Sequence, residues 1–386
     1  MTLLASCDGG HPPWVSTWTS SMMQARRVFA DETVRQVARV SVGGDVVRVR
    51  LSNTIGTSPV NVGAATVGLS MGGAAVQPGS LRELTFEGER SVRLTPGEEL
   101  RSDPVALSIP DGGTLVVSLY IEAGSGEAAQ HLSANQTTYV VSGDQVDALD
   151  FDAPTTDTSV YWLSGVEVQR QAALAIVAFG DSITEGAGST LDGHDRYPDA
   201  LADELAARGI AAAVVNAGIG GNRILNDAPR VFPGGPSGLS RFERDALSQT
   251  GATHLMLLEG VNDLGIGTLF GPVVSAEDII GAYRQVIAQA HARGLDVLVG
   301  TILPFRGATI PEYWSAENEA KRQAVNAWIR TTDEHDGFVD FDAVMRDPAD
   351  PEQMPAALHS GDFLHPSSAG YQRMAEAAAD VFEGLL

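Results

Sequence analysis

The serine in "AFGDSITEGAG", the histidine in "SGDFLHPSSAGY" and the aspartate three residues before that histidine are the groups that acyl transfer requires. The hydroxyl of Ser182 is a weak nucleophile until a base within hydrogen-bond reach takes its proton, and that base works best when a carboxylate orients it. His365 and Asp362 supply the pair. Pro366 disfavours helix at His365, so a loop or short turn can bring Asp362 to one imidazole nitrogen and leave the other for Ser182. A general base must be neutral, so activity is expected to fall as pH drops through the ordinary histidine range, about 6 to 7.

A tetrahedral intermediate also needs donors aimed at its oxyanion. Candidates are the N–H of Ser182, the backbone of "VNAGIGGNR" and the amide of Asn262 in "LLEGVNDLG". Glycine suits such a loop because the backbone can approach a ligand where there is no Cβ. Singly, each residue has a plainer role, as a helix cap, a turn or a solvated loop side chain. Together they occur in the order Ser, Gly, Asn, His, each in a loop after a strand or beside the final helix, which independent coincidence rarely yields.

The elements that carry these loops change period along the chain. From about Thr33 to Val168, short alternating segments such as "DVVRVRLSN" and "TLVVSLYIEA" are separated by Gly, Pro and Asp turns, an all-β pattern that predicts a sandwich. Val47, Val49 and Leu51 would face inward while Arg48 and Arg50 stay wet. Trp14 and Trp18 would share one strand face and serve as core. Beyond "VEVQRQ", apolar runs such as "ALAIVAF" and "HLMLLEG" alternate with helical stretches such as "YPDALADELAARG", predicting a parallel sheet covered by helices. Arg208-Gly209 and Arg293-Gly294 read as helix ends. The boundary is expected near Arg170, giving a β domain over 1–170 and a second domain over 171–386.

Composition narrows the partners. Lys and Arg total 25 against 49 Asp and Glu, so the net charge of -24 repels nucleic acid and anionic lipid surfaces. No apolar run approaches the ~20 residues of a membrane span, which predicts a soluble chain, cytoplasmic or exported. The single cysteine, Cys7, permits no disulfide within the chain. It follows small residues in "MTLLASC", like the end of a lipoprotein signal, but the apolar part is shorter than the ~7 to 15 residues of a signal. Asn135-Gln136-Thr137 fits a glycosylation sequon.

The blocks "FGDSITEG", "NAGIGGNR", "GVND" and "DFLHP" resemble the four sequence blocks of the GDSL-type, or SGNH, serine hydrolases, over about Ala173 to Leu386. The resemblance implies a flavodoxin-like three-layer α/β/α fold behind the all-β sandwich-like domain. It also implies Ser182 as nucleophile, His365 as base, Asp362 as its partner, and Gly221 and Asn262 in the oxyanion hole, with Gly220 as the alternative register. The longer texture is similar to a bacterial subgroup that includes arylesterase-like proteins linked to xylan breakdown, whose members commonly carry an N-terminal β domain.

Substrate contacts are expected from the long loops "NRILNDAPRVFPGGPSG" and "PFRGATIPEYWSAE", with Asp181, Arg223, Phe305 and Trp314 as candidates. The leading expectation is a cofactor-free carboxylic ester hydrolase acting on small, acetyl-sized acyl groups, with carbohydrate esters among its substrates. Rival readings are a lipase-type esterase of longer chains, a metal-dependent phosphoesterase using His359, Asp362 and His365, and a non-catalytic carbohydrate-binding protein.

Overall fold

The computed structural model describes residues 13–229 and 232–386, so Cys7 and the "MTLLASC" start lie outside the described residues. Alternating apolar and polar residues fold the first part of the chain into antiparallel sheets. One sheet runs Trp14–Thr19, Leu163–Gln169, Gly44–Ser52, Val105–Ile109. Another runs Thr155–Asp157, Thr138–Ser142, Glu32–Arg39, Thr114–Ile121, Val60–Gly72, Ala75–Val76. Val47, Val49 and Leu51 of the first share a core with Val34, Leu115, Val117 and Leu119 of the second, so the sheets pack face to face. A smaller sheet joins Gln24–Val28, Glu127–His131 and Val160–Tyr161.

Two expectations for this half need correction. Arg50 is not wet: it is 1% exposed, and its Nη2 donates to Gln249 Oε1 at 2.7 Å while Glu167 lies 3.6 Å from its Nε. The outer face of its strand is covered by the second half of the chain, so an arginine there is buried and paired. Trp14 and Trp18 are only half-buried, and a bulge between Ser16 and Trp18 breaks the alternation that would have joined them on one face.

From Leu174 the sheet is parallel. Its order is Ala212–Gly218, Leu174–Gly180, His254–Leu258, Asp296–Gly300, Gly337–Val339, which is second, first, third, fourth, fifth along the chain, the flavodoxin-like arrangement. Every residue of Leu174–Gly180 is buried, as an uninterrupted apolar strand requires when helices cover both faces. Helices Tyr197–Ala207 and Ser368–Glu383 pack together, as do Ala276–Ala292 and Ala316–Thr331, completing three layers. Ser275 opens Ala276–Ala292 with a reciprocal capping box to Asp278, and Gly294 (φ 77°) follows its C-cap. Among the described residues, no helix is long and apolar enough to cross a membrane.

Candidate active site

Strand Leu174–Gly180 and its neighbours on either side leave a crevice at their carboxyl ends, where the strand order reverses. There Asp181 caps the one-turn helix Ser182–Glu185 by accepting from the Ile183 N–H at 2.9 Å. That turn rests against the end of Ala212–Gly218. A Cβ on Gly218 would come within 2.2 Å of the Glu185 nitrogen, so glycine is what lets the two meet.

The Ser182 hydroxyl lies 2.8 Å from His365 Nε2, and His365 Nδ1 lies 2.6 Å from Asp362 Oδ2. The other carboxylate oxygen, Oδ1, accepts the N–H groups of Leu364 and His365, both at 2.9 Å. Burial opposes ionisation of Asp362, but the His365 ring and these two N–H groups outweigh it and hold the carboxyl well below its usual range. An ionised Asp362 fixes the proton on Nδ1, which leaves Nε2 to accept from Ser182.

The candidate oxyanion donors line the same cavity as this hydroxyl. Asn262, 3% exposed at the start of helix Val261–Phe270, has an Nδ2 with no partner among the described residues, while its Oδ1 accepts from the Tyr313 hydroxyl at 2.7 Å. A buried donor left open is costly unless a ligand fills it. Residues 219–222 form a turn closed by the Asn222 N–H on Ile219 O, with Gly221 at φ 70°. The Gly220 N–H is already engaged, donating to Glu185 Oε1 at 2.8 Å. Nearby, Asp263 accepts the N–H groups of Ile224 and Leu225, and burial pushes its carboxyl up to about 6. Burial also raises Asp181 and Glu259 behind the serine.

A cavity of about 300 Å³ opens over Ser182, Gly221, Asn262 and His365. Its walls are largely apolar: Phe232 and Pro233 from one long loop, Ile310 from the other, Leu364 beside the histidine, and Met23 and Leu132 from the antiparallel half. The expected substrate contacts are absent from these walls. Asp181 (1% exposed) is a cap beneath the serine, and Arg223 (3%) turns away to donate to Gly271 O and Asp227 O. Phe305 (1%) packs edge-on against Tyr313, and Trp314 is half-buried behind the same loop. The loop after Gly300 folds its aromatics into the core and presents Ile310 instead. His359 does not join Asp362 and His365, because its Nδ1 accepts the Gly361 N–H and its ring stacks on Phe363. No group of three or more His, Cys, Asp or Glu side chains suited to a metal occurs among the described residues.

Sequence reasoning missed Glu185, His131, Met23 and Leu132. Glu185 stood in the serine block as an ordinary helix residue, and the other three are brought in only by the docking of the two halves.

A family model, the GDSL-like Lipase/Acylhydrolase family, matches residues 178–373, just over half of the chain. Among solved structures, the inhibitor-bound aryl esterase of M. smegmatis is 18% identical, covering 55% of this chain and all (100%) of its own, with a TM-score of 0.45. A carbohydrate acetylesterase family member from Sinorhizobium meliloti is 17% identical over 55% of this chain and 99% of its own (TM-score 0.44). A lipase/acylhydrolase from Enterococcus faecalis is 21% identical over 55% and 97% (TM-score 0.42). No curated protein matches the chain. With four ordered blocks meeting at one crevice of a flavodoxin-like sheet, the chain belongs to the GDSL-like lipase/acylhydrolase family and is a serine esterase of that type.

Proposed function

We propose that this enzyme hydrolyses small, uncharged carboxylic esters through an acyl-enzyme on Ser182. The observation that carries the reading is the Ser182–His365–Asp362 relay, at 2.8 and 2.6 Å, facing the unpartnered amide of Asn262. In this mechanism Ser182 Oγ attacks the ester carbonyl carbon as its proton passes to His365 Nε2, and Asp362 stabilises the imidazolium that forms. The carbonyl oxygen becomes an oxyanion held by the N–H groups of Ser182 and Gly221 and by Asn262 Nδ2. Collapse of the intermediate expels the alcohol, which takes the proton from Nε2. A water activated by the same nitrogen then releases the acid and restores the serine. Gly221 is preferred over Gly220 as donor because Glu185 already occupies the Gly220 N–H.

The cavity supports the proposed substrate class. A volume of about 300 Å³ is at the lower end of small-molecule sites, ~300 to 1,000 Å³, and suits a short acyl or aryl ester. Apolar walls favour a hydrocarbon acyl group, and the chain's net charge of -24 disfavours polyanionic esters. Neither aromatic expected to contact substrate, Phe305 or Trp314, lines the cavity, so the reading stops at small neutral esters.

The test is hydrolysis of aryl esters from acetate to octanoate, and of acetylated xylan, by wild type and Ser182→Ala, with and without EDTA. Turnover confined to wild type, greatest for the short esters and unchanged by EDTA, is the expected result. Equal turnover by Ser182→Ala contradicts the nucleophile, loss with EDTA favours the metal-dependent rival, and a maximum at octanoate moves the substrate to longer chains.

A further inference from the structure

The side chain of His131 links the antiparallel half to the oxyanion loop by way of Glu185. His131 ends strand Glu127–His131, is 4% exposed, and places Nδ1 2.7 Å from the carbonyl oxygen of Ser21. A carbonyl only accepts, so Nδ1 carries a proton. On the other edge of the ring, Nε2 lies 3.0 Å from Glu185 Oε1. A bare Nε2 facing an ionised Oε1 would set two lone pairs together, so a proton lies between the two atoms and the contact is a hydrogen bond. Glu185 (6% exposed) uses the same Oε1 to accept the Gly220 N–H at 2.8 Å.

That bond fixes the peptide immediately before the Gly221 N–H. Space there is tight: a Cβ on Gly220 would come within 2.6 Å of Glu185 Oε2. Alternative placements of the carboxylate would release the turn that presents the donor. The loop after His131 adds a second attachment, since Asn135 Nδ2 donates to Gly186 O and to Ser189 Oγ, both at 2.7 Å, on the far side of the serine turn.

We infer that His131 is a positioning residue for ester hydrolysis: through Glu185 it holds the Ile219–Gly220 peptide, so that the N–H of the next peptide, on Gly221, faces the oxyanion. The antiparallel half thereby supports transition-state stabilisation as well as walling the cavity. The inference rests on the proposed acyl-enzyme mechanism and on Gly221 as a donor in it.

The experiment compares full-length wild type, His131→Leu, His131→Gln and Ser182→Ala on an aryl acetate, with phenylboronic acid as a probe whose serine adduct places an oxygen anion in the same position. His131→Leu is expected to lower kcat about 10- to 100-fold, less than or near the loss of a whole oxyanion donor, with KM within about threefold. Its boronic acid Ki should weaken by a comparable factor. His131→Gln, which still offers an N–H to Glu185, should recover most of both. Where His131→Leu does not fold, Glu185→Gln, uncharged and equal in size, takes its place, with the same fall in kcat expected. A folded variant with kcat within twofold of wild type overturns the inference, as does a fall in kcat with Ki unchanged. Ser182→Ala separates the two readings. Turnover by that variant defeats the acyl-enzyme itself, whereas an inactive Ser182→Ala beside unaffected His131 variants defeats only the role of His131.

Discussion

Asn262 presents a buried amide nitrogen to the cavity and lends its oxygen to Tyr313, so its orientation is set before any ester arrives. Preorganised donors of this kind act on the transition state more than on the ground state. Asn262→Ala is therefore expected to lower kcat by about 10²- to 10³-fold with little change in KM, and Tyr313→Phe by about 10-fold, as steady-state kinetics would record. A rise in KM alone would mean that the amide binds substrate without favouring the transition state. Asp263 gives a prediction of a different kind. Its carboxyl is raised to about 6, chiefly by burial, so the folded state holds a proton that the unfolded state gives up near 4. The stability from that proton is complete below about 4 and is lost as pH rises to about 6. Relative to Asp263→Asn, the wild type should lose up to about 3 kcal/mol across that window and nothing more above it, measured by urea unfolding at each pH. A pH-independent difference would contradict this. Ser182, Asn262, Asp362 and His365, which the structure brings together at one cavity, can be singled out in the sequence because each lies in a short block in a loop after a strand or beside the final helix. Phe305 was misread because an apolar residue in a long loop looks the same whether the loop faces a ligand or the core.

The strand ends that carry these residues are tied together from below by Arg241. Its side chain lies in helix Gly238–Phe242, where Nη2 donates to Gly180 O and Nη1 to Ala217 O, each at 2.8 Å. Nε donates to Asn222 Oδ1 at 2.9 Å, Asp245 and Glu259 lie 3.1 and 3.5 Å away, and the guanidinium sits over the Phe179 ring. Removing it takes the buried side-chain donor from Glu259 and from Asn222 Oδ1, while Asp245 keeps Arg244 and Gly180 O keeps the Ile219 N–H, so Arg241→Met should cost about 3 to 5 kcal/mol. Equilibrium denaturation measures this, and a loss under 1 kcal/mol would show that the strand ends are held by packing alone. Periodicity gave the parallel strands and their helices directly, since apolar runs and capping residues are local signals. It could not give Arg241, whose helix reads as an ordinary basic stretch, nor the burial of Arg50. A period of two assigns Arg50 to a face but says nothing of what covers that face.

We propose that residues 1–170 and 171–386 are two domains in pattern but one unit in stability. Ala175 and Ala213 of the parallel sheet pack into the core of the antiparallel half. Ser16 N–H donates to Thr250 O at 2.9 Å, Val214 N–H to Ser41 Oγ at 2.9 Å, and Thr250 Oγ1 to the buried Glu167 at 2.8 Å. Calorimetry should therefore record one transition whose van't Hoff and calorimetric enthalpies agree, and two separated transitions would contradict the shared core. The sequence marked the change of pattern near Arg170 but left the first half without a task, because Met23, His131 and Leu132 meet the site only across the docked surface. The most direct measurement is acid quenching of the enzyme during turnover of an aryl acetate, followed by peptide mass analysis. The account predicts an acetyl group on the peptide containing Ser182, absent from Ser182→Ala, which should also lack turnover. An unmodified Ser182 peptide under conditions where turnover is limited by deacylation, or turnover by Ser182→Ala, would contradict it.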